Sequence, residues 1–116
     1  MQRFALALLM TLMIAAPSFA KTHKNMYSVP CGKLWLAVKD TVRNSGDYQI
    51  IWLDNNEMIA SYAIGVGNSM RINSTVLTAN GDSCEMQVQT AFSVPFNNDA
   101  GDFKSRVDAS LAKQPK

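Results

Sequence analysis

From Cys84 to Val94 the side chains alternate without a break. Cys84, Met86, Val88, Thr90, Phe92 and Val94 fall on one face, and Glu85, Gln87, Gln89, Ala91 and Ser93 on the other. A period of two belongs to an extended strand, whose successive side chains point to opposite sides. One face is largely apolar and the other polar, which describes an antiparallel sheet covered on one side only. The rest of the chain must supply that cover. Pro95 ends the run, because proline cannot donate to a ladder.

Two stretches carry a helical period instead. Cys31, Leu34, Trp35, Val38 and Val42 recur at steps of three and four, which predicts an amphipathic helix over 31–45. Lys33, Lys39, Asp40 and Arg43 occupy its polar side. Ser28 offers a capping hydroxyl, Pro30 suits the first turn, and Gly46 fits the left-handed position that stops a helix. Phe103, Val107 and Leu111 repeat every four residues and predict a second helix over 100–112. Asn97, Asn98 and Asp99 precede it as cap residues. Asp99 and Asp102 match the positive end of its dipole, and Lys113 the negative end.

Three more strands are expected at Tyr48–Leu53, Met58–Ile64 and Met70–Thr78, and a short one at Met26–Val29. Asp54-Asn55-Asn56 and Asn80-Gly81-Asp82 read as turns, with the asparagines able to take positive φ. Gly65, Gly67 and Asn68 interrupt the pattern between strands. Lys21 to Asn25 is polar and reads as a flexible leader. The expected fold is therefore α+β: a two-layer sandwich of a four-stranded antiparallel meander sheet with two helices packed on one face. Its order is short strand, helix, four strands, helix. The layout is similar to that of small periplasmic domains of the helix-grip kind, a likeness that no motif carries.

The first twenty residues read as a cleaved secretory signal peptide. Arg3 gives a positive start, Phe4 to Ala16 an apolar run, and Ser18 and Ala20 the small residues before a cut. The run is shorter than the roughly twenty residues a membrane span needs. Lys21, not a cysteine, follows the cut, so a lipid anchor is not expected. What remains, 21–116, is one small domain, periplasmic or secreted. The whole chain has eleven basic and nine acidic side chains, scattered singly. No basic stripe marks a nucleic-acid or anionic-membrane partner.

Two cysteines are present in the whole chain. In an oxidising compartment a lone pair favours a disulfide over free thiols. Cys31 lies on the apolar side of the first helix and Cys84 on the apolar side of the last strand, so the two sulfurs meet if that helix packs on that face. Two buried free thiols are the alternative.

Chemistry is sparse. His23 is the only histidine and falls in the leader, and no nucleophile or metal motif accompanies it. Neither catalytic, metal-binding nor cofactor residues are expected, and the protein reads as a non-enzyme. Two binding roles remain. The first is a non-catalytic interaction module of the cell envelope, meeting an envelope or secreted protein through a sheet edge or an aromatic surface of Tyr48, Trp52 and Tyr62. The second is a small carrier of an apolar ligand held between sheet and helices, lined by Trp35, Met58, Met70, Met86 and Phe92. The strand around Arg71, Asn73, Ser74, Thr75 and Thr78 is polar on both sides and either borders a groove or is weakly amphipathic.

Overall fold

The computed structural model describes residues 21–65, 70–91 and 98–115. The expected signal peptide, Gly67-Asn68 and the stretch from Phe92 to Asn97 lie outside the described residues. Strand β1 (Lys21–Tyr27) is followed by helix α1 (Cys31–Asn44), then by β2 (Tyr48–Asp54), β3 (Ile59–Ile64), β4 (Arg71–Asn80) and β5 (Ser83–Ala91). Helix α2 (Asp99–Lys113) closes the described chain. All five strands form one antiparallel sheet in the order β1-β5-β4-β3-β2.

The sheet thus has five strands, not four. The segment expected to be a loose leader forms β1, paired with β5 from Lys21 opposite Thr90 to Tyr27 opposite Cys84. Polar composition hid it, because β1 is an edge strand that β5 fixes through backbone hydrogen bonds. Side chains anchor it as well. The Tyr27 hydroxyl donates to Asp108 Oδ1 on α2 at 2.6 Å, and Lys104 holds the other oxygen of that carboxylate at 2.7 Å.

The register fixes which side chains are covered. Leu53, Ala60, Thr75 and Val88 make one cross-strand row, and Leu77 pairs with Met86 in the next. Helix α1 lays Leu34, Trp35, Ala37, Val38 and Val42 on this face, and α2 adds Phe103 and Val107. Each large apolar side chain buried there is worth roughly 1.5–3 kcal/mol. Helix α2 packs more against α1 than against the sheet.

Cys31, the first residue of α1, and Cys84 on the covered face of β5 are joined by a disulfide with S–S 2.04 Å. The bond ties the helix to the sheet across a sequence separation of 53. It is consistent with an oxidising, exported location.

Local details differ from the sequence expectation at the caps and turns. Pro30 is the N-cap of α1 without a side-chain cap bond, and Ser28 does not cap it. Lys33 N–H and Leu34 N–H both donate to the Pro30 carbonyl instead. Asn98 does cap α2, its side chain accepting from the Gly101 N–H. In the β2–β3 turn it is Met58, not an asparagine, that takes positive φ, at 55°. Asp54 shapes that turn by accepting from the N–H groups of Asn56 and Glu57, and Asn55 accepts from the Trp35 indole at 2.9 Å.

Candidate functional site

Strand β4 crosses the middle of the sheet, and its phase is set by Leu77 at one end of its covered side. Counting back by twos puts Thr75, Asn73 and Arg71 on the same side. Polar residues therefore occupy inward positions in a central strand. Asn73 is 0 % exposed, and neither its amide nitrogen nor its carbonyl oxygen makes a well-formed hydrogen bond, although the side chain lies close enough to the Tyr62 hydroxyl to pull its pKa down. Its cross-strand neighbours are Tyr62 on β3 and Thr90 on β5, both buried.

Three aromatic rings wall this polar floor. Tyr62 stacks on Phe103 of α2 with centroids 4.8 Å apart, and Tyr48 meets both edge-on, at 5.1 and 5.6 Å. The Tyr62 hydroxyl pairs with Thr75 Oγ1 at 2.9 Å. The Tyr48 hydroxyl is buried and unpaired. At the end of this row Arg71 grips Asp99 of α2 through two hydrogen bonds of 2.5 and 3.0 Å. Ile50, on the covered side by register with Tyr62, is nonetheless 38 % exposed, so the covered face opens at the β2 edge. The assembled feature is a buried polar floor under an aromatic wall, closed at one end by a neutralised ion pair.

Its electrostatics favour neutral groups. Burial pushes the Tyr48 phenol up to about 12, with Asp102 as the next cause. Burial raises Tyr62 further, against the opposing effects of Thr75 and Asn73. Tyr27 is raised by burial and by its bond to Asp108. A phenol whose pKa is higher in the folded than in the unfolded chain stabilises the fold fully below the unfolded value, about 10. That contribution disappears as pH rises through the folded value. The chain has three tyrosines, so native protein should show almost no phenolate absorbance at pH 10.5, where the denatured chain is more than half ionised. A native titration with its midpoint near 10 would contradict the burial of these hydroxyls.

The aromatic surface expected from Tyr48, Trp52 and Tyr62 does not form, because the register between β2 and β3 shifts between Ile50 and Trp52. Tyr48 and Ile50 face the helices, whereas Trp52 lies opposite Ser61 on the uncovered side and is 51 % exposed. Tyr62 is in the core. The shift breaks the period of two on which the grouping rested.

The expected carrier lining is likewise dispersed. Trp35 and Met86 are packed in the core, Met70 is exposed, and Phe92 is outside the described residues. Met58 lines a solvent-open groove of 390 Å³ beside Cys31 and Leu77. A second open groove, of 410 Å³, lies against Val29 and Leu111 near the end of α2. His23 is exposed on β1 beside Lys24 and Asn25, in an open hollow of 180 Å³. Among the described residues no group of three or more His, Cys, Asp and Glu side chains is placed to hold a metal. Asn73 was visible in the sequence only as part of a strand polar on both sides. Its inward phase could be read from Leu77, but not its lack of partners.

No protein-family model matches the sequence, and no curated protein does. Solved structures do resemble it. CalU16 from Micromonospora echinospora is 12 % identical with a TM-score of 0.59, over 81 % of this chain and 76 % of that one. Ara h 8.0201 is 17 % identical with a TM-score of 0.57, over 81 % and 98 %. A protein from Nitrosospira multiformis is 10 % identical with a TM-score of 0.56, over 80 % and 93 %. At such identities the likeness is one of fold: an α+β architecture in which the described residues form an antiparallel five-stranded sheet with two helices.

Proposed function

We propose that the protein is a non-catalytic carrier, exported from the cytoplasm, that holds a small and largely apolar ligand between its sheet and α2. The observation that carries this reading is Asn73. A buried polar atom left unpaired costs about 1–3 kcal/mol. Asn73 has two such atoms, and the Tyr48 hydroxyl is a third. Most buried polar groups in working proteins are paired, and the polar end of a bound molecule would supply the partner that Asn73 and Tyr48 lack. The apolar remainder of that molecule would lie against Tyr62, Phe103 and Ile50, wedged under a helix that rests more on α1 than on the sheet. The fold shared with Ara h 8.0201 and CalU16 is consistent with an apolar-ligand carrier.

Asn73→Val tests this reading, because valine is of similar size and removes both unpaired atoms of that side chain. The variant should be more stable to urea by about 1–3 kcal/mol. Native mass spectrometry of the wild type purified from its exported location should show an added mass that denaturation releases and the variant lacks. A variant that is less stable and keeps the added mass would mean that Asn73 is merely structural.

A second reading rests on a different observation. Ile51 and Trp52, 55 % and 51 % exposed, put apolar area on an edge strand. That favours an interaction module meeting an envelope or secreted protein through β2. A co-purifying protein that is lost from Trp52→Ser, and not from Asn73→Val, would support it.

A further inference from the structure

We infer that the ligand's polar end is uncharged and both donates and accepts hydrogen bonds, as a primary amide, a lactam or a hydroxy-ketone does, and that carboxylates are rejected. This rests on the carrier reading above and adds the chemical class of its ligand. The floor of the site offers three kinds of polar group. Asn73 presents an N–H donor and a carbonyl acceptor side by side, both unpaired and fully buried. The natural complement of a carboxamide is a second group with one donor and one acceptor. The Tyr48 hydroxyl can serve either way, and burial keeps it protonated.

Charge is what the site cannot compensate. Arg71, two positions before Asn73 on the same side of β4, is the cation nearest along that strand, at roughly 7 Å. Its guanidinium is committed to both oxygens of Asp99. A carboxylate seated on Asn73 would receive one amide N–H and face the Asn73 carbonyl, with Asp99 close behind the arginine. Removing a carboxylate from water without a partner charge is heavily penalised. An ammonium would lack a free carboxylate in the same way, because Asp99 is already paired.

The test is a binding series at pH 7 with matched ten-carbon probes: decanamide, decan-1-ol and decanoate, measured by calorimetry on the wild-type protein. Decanamide should bind tightest, decan-1-ol next, and decanoate at least about thirtyfold more weakly than decanamide. Asp99→Asn removes the negative charge paired with Arg71, so in that variant the decanamide-to-decanoate ratio should fall about tenfold. Asn73→Val should weaken decanamide about tenfold. Decanoate binding as tightly as decanamide to the wild type would overturn the ligand class and leave the carrier reading intact. Decanamide binding equally well to Asn73→Val would overturn the placement. If no probe binds and the purified protein carries no added mass, the carrier reading itself fails.

Discussion

A protein with both Cys31 and Cys84 replaced by alanine should melt roughly 20 °C below the wild type. The reasoning starts in the unfolded chain. The disulfide closes a loop with a sequence separation of 53, and a loop of that length restricts the unfolded ensemble by about 4 kcal/mol. Small domains hold only about 5–15 kcal/mol in total. The bond also spans two layers, pinning the first residue of α1 to the covered face of β5. Its loss frees the one helix that touches β2, β3, β4 and β5. Differential scanning calorimetry with and without reductant reads the effect directly. A difference below about 5 °C would mean that the unfolded state is already compact without the bond.

Val88→Asp should prevent folding altogether, while its neighbour Gln87→Asp should change stability by less than about 0.5 kcal/mol. Val88 is completely buried between β1 and β4, in register with Thr75. An aspartate there would sit opposite Thr75, while Arg71, farther along the covered side of β4, is already paired with Asp99. Gln87 lies on the uncovered side, between Val76 and Lys24. Nearby Lys24 would welcome the new charge. Circular dichroism and urea titration of the two variants separate the faces of β5. Similar tolerance at the two positions would show that the period of two has been assigned the wrong phase.

Much of this architecture was legible because its segments carry clean periods. The alternation from Cys84 onward gives β5 its faces, and the three–four spacing from Leu34 to Val42 gives α1 its buried stripe. Together they place the two sulfurs on facing surfaces, and the disulfide follows. Strand β1 was not legible. Lys21, Thr22, His23 and Lys24 have no apolar rhythm, and their strand is fixed by pairing with β5, a non-local contact that leaves no local signal. The register shift in β2 was equally silent. Tyr48, Ile50 and Trp52 alternate in sequence, yet an irregularity after Ile50 sends Trp52 to the opposite side. The candidate site depends on both kinds of information. The polarity of Asn73 and Thr75 is plain in the sequence. That Asn73 is buried without partners emerges only when β3, β5 and α2 close around it.

The side-chain amide of Asn73 is the atom group on which the functional account turns, and it has its own NMR signal. In the ligand-free protein its two protons should exchange slowly with water, as befits a fully buried group. On addition of decanamide their resonances should move more than those of any other side-chain amide, with backbone signals of Tyr62 and Phe103 following. Saturating binding that shifts residues along the open grooves near Met58 or Leu111, and leaves the Asn73 protons where they were, would contradict the account.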